Sequence, residues 1–155
     1  MSSRAGFIQS PGFLYGSQRA EAMKTQLKAL VYLWVSPTTL FGLLFVPIAF
    51  VSGGRIQLVG GVIEVSGGLV RRLLRCRLFL LGEVSAVTLG HVVLGQDYGS
   101  LVASREHERV HVRQYELWGP LMVPLYLFSS CLATVRGRHP YWDNWFERAA
   151  YRIAR

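Results

Sequence analysis

The pattern of apolar and polar positions begins with a long uncharged segment. Residues 29–54, ALVYLWVSPTTLFGLLFVPIAFVSGG, contain no charged side chain, and 26 residues suffice for a helix to cross a bilayer core of about 30 Å. Pro37 and Pro47 lie within this segment, and proline is tolerated in membrane helices. The pattern predicts a membrane helix. A buried pair of helices broken at Ser36-Pro37 is the alternative.

The next part of the chain has the pattern of β-strands. In RIQLVGGVIEVSGG, residues 55–68, β-branched side chains flank Gly60-Gly61, which is typical of a tight hairpin. The arginine- and leucine-rich residues 69–84 fit an amphipathic strand or a surface-seeking segment. Residues 85–99 read as a further strand that ends in a turn at Asp97 and Gly99. We therefore expect a small antiparallel β-sheet.

After the sheet the pattern becomes helical. Ser104 is a suitable N-cap for a helix over about 105–118, which Gly119-Pro120 would stop or bend. An uncharged segment runs from there to Val135, and DNWFERAAYRIAR, residues 143–155, predicts a closing helix capped by Asp143 or Asn144. The predicted fold is α+β, with an N-terminal segment of residues 1–54 that carries the membrane helix and a domain of residues 55–155.

Composition supports a membrane location. The chain is 51% hydrophobic and only 17% charged, whereas soluble domains carry about 25% charged residues. The net charge of +8 suits anionic lipid headgroups. No nucleic-acid recognition module is present, and the arginines lie beside apolar runs, so we expect no nucleic-acid partner. Basic residues flank the apolar segment on both sides, which leaves its orientation open.

One short motif carries candidate chemistry. His107 and His111 are four residues apart, so on a helix both imidazoles project from one face, and this spacing allows both to bind one zinc ion. Glu108 follows the first histidine, where it can take a proton from a metal-activated water. Two unremarkable histidines of an ordinary helix are the alternative.

A zinc hydrolase needs a third protein ligand. One longer zinc motif takes its third ligand from the same helix, with Gly at position 114 and His at position 117. This chain has Gln114 and Leu117 there, so that motif is absent and the third ligand must come from elsewhere. The closing helix offers Asp143, Glu147 and Tyr151 on one face, although the same pattern fits a plain amphipathic helix whose Glu147 pairs with an arginine. Glu147 can reach the histidines only if the chain reverses at Gly119-Pro120, so the zinc hypothesis requires a helical hairpin there.

Two blocks of sequence resemble a known class. HERVHVRQYELWGP, from His107, and HPYWDNWFERAAY, from His139, are similar to the gluzincin class of zinc metallopeptidases, and more closely to small bacterial proteins with the same two blocks. The resemblance covers residues 87–151. It implies that His107, His111 and Glu147 hold Zn²⁺, that Glu108 is the base, and that a strand at residues 85–94 pairs with an extended peptide substrate.

Three further polar residues have either a role in the site or a purely structural one. His91 orients substrate or an oxyanion, or is a histidine satisfied by backbone groups. Tyr151 donates a hydrogen bond to the developing oxyanion, or only packs. Asp143 accepts an N–H from a ligand histidine, or only caps the helix. We expect Gln114 to pack and His139 to be exposed.

The sequence thus predicts a membrane-associated zinc metallopeptidase, located in a bacterial inner membrane, that acts on peptides or proteins. Two alternatives remain open. One is an inactive structural or interaction protein of the membrane, and the other is a metal-binding module without hydrolysis.

Overall fold

The computed structural model describes residues 11–76 and 84–154. The predicted α+β class is confirmed, with an N-terminal apolar helix, a four-stranded sheet and further helices. The described contacts form two compact units, Met1–Leu33 and Trp34–Arg155. The second half of the predicted N-terminal segment therefore belongs to the same unit as the sheet.

The apolar segment forms helix α1, Pro11–Leu43, and helix α2, Phe45–Val51. Pro37 lies inside α1 and does not end it. The alternative interpretation, a pair of helices broken at Ser36-Pro37, is therefore wrong about the position of the break. The helix is interrupted at Leu44 instead, because the ring of Pro47 conflicts with the carbonyl four residues earlier, that of Leu43.

Two helical stretches are long and apolar enough to span a membrane, Glu21–Val51 and Tyr98–Val135. The first contains the predicted anchor. The second was not predicted as a span, and it contains the positive-φ residue Gly119, at which its direction changes.

The sheet has the order β1-β2-β4-β3 and is mixed. β1 (Arg55–Val59) and β2 (Val62–Ser66) form the predicted hairpin around Gly60-Gly61, but β2 pairs with β4 (Val92–Gly95) in parallel. The prediction of an antiparallel sheet was therefore wrong in this pair. A parallel pair needs a crossover connection, and helix α3 (Gly68–Arg75) supplies part of it. The strand considered over residues 69–84 is therefore wrong over 69–75, where the chain forms an amphipathic helix whose arginines are exposed, which agrees with the surface-seeking alternative. Residues 77–83 lie outside the described part.

Residues 85–99, expected to be one strand, form a second hairpin. β3 (Ala86–Leu89) pairs antiparallel with β4, and the chain turns at Gly90, whose φ is +64°. A side chain at Gly90 would also collide with Thr39 of α1. Glycine is therefore required here both for the backbone angle and for the close approach of α1.

Helix α4 runs from Tyr98 to Trp118 and begins seven residues before the predicted start. Asp97, not Ser104, is its N-cap, and the Asp97 carboxylate accepts the backbone N–H of Ser100 at 2.8 Å. The residues that were read as a turn are the first residues of the helix, because an aspartate cap satisfies the N–H groups at a helix start.

The chain reverses after α4, as the metal hypothesis required. Gly119 has φ +53° and lies against the Trp34 ring, and a short 3₁₀ turn leads into helix α5, Met122–Val135. The Tyr126 hydroxyl of α5 and the imidazole of His107 both contact Glu147, whereas a straight helix would separate residues 107 and 126 by about 28 Å. The closing helix α6, Trp145–Ile153, carries Glu147.

The sheet separates two layers of helices. Alternate residues of β4 point to opposite faces: Val92 and Leu94 join the apolar cluster of α2 and α3, and Val93 packs with Leu101 and Val112 of α4. One face of α4 is thereby held on the sheet, and the opposite face is directed toward α5 and α6.

Candidate metal centre

The two histidines of the motif lie side by side on α4. The Nε2 atoms of His107 and His111 are 3.0 Å apart, and the rings meet edge to face. His111 is buried and His107 is nearly so. Since both Nε2 atoms are directed at one point, the helix offers two nitrogen donors together, as the four-residue spacing predicted.

Glu147 of α6 completes the group. Its Oε2 atom is 3.1 Å from Nε2 of His107, and its Oε1 atom is 3.4 Å from Nε2 of His111. The carboxylate is almost fully buried, at 3% exposure. His107, His111 and Glu147 therefore form a buried group that could bind a metal ion.

The separations between these donor atoms suit a shared cation. A four-coordinate ion with ligand distances of 2.0–2.1 Å places its donors about 3.3–3.4 Å apart. The two Nε2 atoms are 3.0 Å apart, and each lies within 3.4 Å of one Glu147 oxygen, Oε2 for His107 and Oε1 for His111. Glu147 Oε2 is buried and has no hydrogen bond among the described residues, and the closest basic nitrogen to it is Nε2 of His107 at 3.1 Å. A buried carboxylate oxygen without a donor is costly, and a bound cation would remove that cost.

The surroundings keep Glu147 ionised. Burial by itself would raise the pKa of the Glu147 carboxyl, but His107, His111 and the Tyr126 hydroxyl, which donates to Oε1 at 2.8 Å, together lower it to about 2. Burial raises the pKa of the Tyr126 hydroxyl, which therefore remains a hydrogen-bond donor. The group thus presents one negative charge to two imidazoles.

Glu108 lies beside the group on the sheet side of α4. Burial raises the pKa of its carboxyl, against the opposing effect of His111. The hydroxyl of Thr88, on β3, donates to Glu108 Oε2 at 2.6 Å. Strand β3 therefore fixes the orientation of the Glu108 carboxylate, which lies outside the group His107, His111 and Glu147.

The partner of a ligand histidine is Gln114, not Asp143. Nδ1 of His111 lies 2.8 Å from Gln114 Oε1, and Gln114 Nε2 donates to the carbonyl of Phe146 at 3.1 Å. The Asp143 carboxylate accepts the backbone N–H of His139 instead. The expectation that Gln114 only packs was therefore wrong, and the hydrogen-bonding role considered for Asp143 falls to Gln114.

Tyr151 lies at the edge of the group. Its ring is 4.4 Å from that of His107, and its hydroxyl is 3.2 Å from the hydroxyl of Tyr141. Tyr151 is 38% exposed, so its hydroxyl borders the solvent-accessible side. The structure thus brings Tyr151 to the histidine pair, together with Tyr141, which the sequence did not single out.

His91 occupies a different place. It is buried in the turn between β3 and β4, with Nδ1 3.4 Å from the Thr39 hydroxyl and Nε2 3.3 Å from the Glu116 carboxylate. Glu116 is nine residues further along α4 than His107, about 13 Å on the helix axis. These contacts agree with a satisfied core histidine that joins α1 to α4. They do not bring His91 to the metal-binding group. His139 is exposed, as expected.

Two cavities meet at His107 and Glu108. The first, of about 800 Å³, is lined by α4, β3 and the 139–142 turn, and its polar wall residues include Ser85, Ser100 and Ser104. The second, of about 440 Å³, is lined by α1, β3, α4 and α5 and is mainly apolar. A molecule that occupied both cavities would therefore pass directly over the motif.

Comparison with known proteins places the chain in no family: no protein-family model, no curated protein and no solved structure matches it significantly.

Two residues that hold the site carboxylates, Thr88 and Tyr126, were not predicted from the sequence, whereas Asn144 is confirmed as the cap of α6. Asn144 is fully buried: its side chain caps α6 at Phe146 and donates to the Tyr126 carbonyl and to the Ser130 hydroxyl. Thr88 and Tyr126 hold the two carboxylates. Asn144 could be predicted because asparagine is a preferred residue at a helix start. Thr88 and Tyr126 lie in ordinary strand and helix patterns, which do not indicate a contact with a carboxylate.

Proposed function

We propose that this protein is a membrane-associated zinc metallopeptidase. The observation that carries the proposal is the convergence of two imidazoles and one carboxylate at 3.0–3.4 Å, with a buried oxygen that lacks a donor. Such a set leaves a fourth position open, as catalytic zinc sites do. The resemblance of both sequence blocks to gluzincins supports the same assignment.

Zinc fits the ligand chemistry better than the common alternatives. Calcium and magnesium prefer six or more oxygen ligands, whereas this group offers two nitrogens and one carboxylate in a compact arrangement. Two histidines and one glutamate form a recognised ligand set of catalytic zinc. Other imidazole-binding transition metals share this preference, so metal analysis belongs in the test.

Glu108 is the proposed base. Bound zinc supplies a Lewis acid that polarises a scissile carbonyl and acidifies water. Thr88 holds Oε2 of Glu108, so Oε1 accepts the proton from water and later returns it to the leaving amine. The raised pKa of the Glu108 carboxyl suits a group that must gain and lose one proton. Tyr151 is placed to donate a hydrogen bond to the oxygen that becomes negative.

Two further features support a peptide substrate and a membrane location. Among the strands that the structure describes, β3 is the last at one side of the sheet, and its residues line both cavities, so an extended peptide can add to this edge. The apolar stretch Glu21–Val51 has the length and hydropathy of a membrane span. We assign it as the anchor, in a bacterial inner membrane.

Metal analysis and peptide cleavage test the proposal together. We expect the purified protein to hold one zinc per chain and to cleave members of a peptide library in detergent micelles. Glu108→Gln should retain the zinc and lower kcat by about 10²–10⁴-fold. Glu106→Gln, at an exposed glutamate two residues earlier on the same helix, is the matched control and should change neither value.

Distinct outcomes contradict distinct parts of the proposal. A protein that binds no transition metal rules out the metal centre. Zinc bound without cleavage of any peptide supports a non-hydrolytic metal-binding module. Cleavage that survives Glu108→Gln undiminished removes Glu108 from the reaction and leaves the base unassigned.

A further inference from the structure

The apolar cavity beside the metal centre identifies a class of substrate, an inference that rests on the proposed function. Its volume is about 440 Å³, which exceeds the space that one large apolar side chain needs. Apart from the motif residues and Glu147, its walls are almost entirely apolar or aromatic; they include Phe41, Val87, Leu89, Tyr115, Met122 and Leu127. Among the described residues, the acidic side chains that line it are Glu108 of the motif and Glu147 of the metal-binding group.

The half-exposed members of this wall mark where the cavity reaches the surface. Phe41 on α1 is 54% exposed, and Val123 and Leu127 on α5 are 40% and 46% exposed. The deeper wall residues Tyr115 and Met122 are buried. The mouth therefore lies between α1 and α5, and its rim is made of apolar side chains.

The surface around this mouth is apolar as well. Four apolar residues here are each more than half exposed: Leu40 on α1, Leu44 between α1 and α2, Leu121 in the 3₁₀ turn and Phe128 on α5. Leu40 and Leu44 belong to the candidate membrane span. An exposed apolar surface of this kind marks a contact with membrane or partner, and its continuity with the span favours lipid.

The cavity on the other side of the motif has polar and apolar walls in about equal measure. Ser85, Ser100, Ser104 and His139 contribute polar atoms to it, and Trp142 and Tyr151 at its edge are exposed. Both cavities share the wall formed by His107, Glu108 and Tyr141. The metal centre thus lies between a mainly apolar entrance and a cleft that also offers polar groups.

We propose that the apolar cavity takes a large apolar residue of a peptide that enters from the lipid phase. The peptide then carries that residue on one side of the scissile bond and a polar segment on the other. A substrate of this kind is a membrane-inserted apolar peptide whose cleaved bond lies near the membrane–water boundary, and a freely water-soluble polar peptide is a poor substrate.

Binding to the Glu108→Gln protein tests the cavity without requiring cleavage. Two fluorescently labelled peptides differ at one position, Phe in one and Ser in the other, and their affinities are measured by anisotropy in micelles. Burial of a phenylalanine side chain predicts that the Phe peptide binds at least about tenfold more tightly. Leu127→Asp at the mouth should abolish this difference. Phe128→Asp, its exposed neighbour outside the cavity wall, is the matched control and should preserve it.

A second variant guards against misfolding. Val123→Trp fills the mouth with an apolar side chain, so it should retain the metal and still lose the preference for the Phe peptide. Equal affinity of the two peptides for the parent protein overturns the proposal, and so does a preference that survives both Leu127→Asp and Val123→Trp.

Entry from lipid has its own test. Wild-type protein is reconstituted in phosphatidylcholine–phosphatidylglycerol vesicles with the Phe peptide, either with or without an apolar membrane-inserting tail. We expect the tail to raise kcat/KM by more than about tenfold in vesicles and to have little effect in micelles. Equal cleavage of both peptides in vesicles overturns lipid entry. If the Phe preference in binding is present but wild type cleaves neither peptide, the hydrolase proposal fails and the cavity assignment stands.

Discussion

Helix α4 has a buried carboxylate on each side, and the two are treated differently. Glu64, on β2, and Glu147, on α6, are each 3% exposed. Arg105 of α4 donates to both oxygens of Glu64 at 2.9 Å, and Gln57 donates at 2.6 Å. The bidentate Arg105 places a permanent positive charge beside the Glu64 carboxylate. Both oxygens of Glu64 therefore have hydrogen-bond donors from the protein itself.

Glu147 has partners of another kind. Tyr126 and two imidazoles surround it, and the described ion pairs include no arginine or lysine at this carboxylate. One of its oxygens, Oε2, has no hydrogen bond within the described part of the chain. The difference separates a carboxylate that holds two elements together from one that is arranged to receive a cation. Burial alone would not distinguish them.

The largest expected difference between the two carboxylates is in zinc affinity. Glu147→Gln removes a ligand and should lower zinc affinity more than about 100-fold, since loss of an outer partner alone costs 10–100-fold. Glu64→Gln, at an equally buried carboxylate, should leave zinc affinity unchanged. Competition titration with a chromophoric chelator measures both. A similar loss of affinity in the two variants would contradict the assignment of roles.

The next effect concerns stability. Because an ion that binds only the folded state stabilises it, zinc at about 100 times its Kd should raise the free energy of unfolding by about 2.7 kcal/mol. Chemical denaturation with zinc and with chelator measures this difference. It should vanish in Glu147→Gln and persist in Glu64→Gln. An equal gain in both variants would place the bound zinc elsewhere in the chain.

A smaller effect is expected from the hydrogen bond behind His111. Gln114→Ala removes the partner of Nδ1 and should lower zinc affinity about 10–100-fold. Arg113→Ala, at the exposed preceding residue, is the matched control. An unchanged affinity in Gln114→Ala would mean that Gln114 only links α4 to the Phe146 carbonyl.

The smallest effect is a pH dependence at Glu64. Burial would raise the pKa of this carboxyl, but the hydrogen bonds from Arg105 and Gln57 outweigh it and lower the pKa below the ordinary 4.5. The folded state therefore binds this proton less readily than the unfolded state. The resulting stabilisation is present above pH 4.5 and is lost as the pH falls through the lowered pKa.

Denaturation at a series of pH values measures this contribution. The difference in stability between wild type and Glu64→Gln should be about 1–3 kcal/mol near neutral pH, the usual value for hydrogen bonds to a charged group, and should shrink in acid. A difference that grows below pH 4.5 would contradict the sign of the shift.

Local patterns were sufficient for the elements that carry the motif. The glycine pair at 60–61 predicted the first hairpin, and the spacing of His107 and His111 predicted two imidazoles on one helix face. Both depend on backbone geometry over four or five residues. The start of α4 was missed because an aspartate before Tyr98 reads equally well as a turn and as a cap.

Pairing between strands was less predictable. An alternating pattern tells which face of a strand is buried, but it does not name the neighbouring strand or its direction. The parallel pair of β2 and β4 depends on the path through α3, whose arginines and leucines also fit a strand. The helix was decided by the fit of Val70 and Leu74 into the apolar cluster of the sheet.

The sequence by itself determined two histidines and a glutamate on one helix, an apolar N-terminal segment and a carboxylate-bearing closing helix, because each follows from spacing within a single element. Only the tertiary structure decided that Glu147 meets the histidines, that Thr88 holds Glu108, that Gln114 bonds to Phe146, and that the motif lies between an apolar cavity and one with mixed walls. The three contacts Thr88–Glu108, Gln114–Phe146 and His107–Glu147 join residues 20, 32 and 40 positions apart. They depend on the reversal at Gly119 and on packing, which no local pattern encodes.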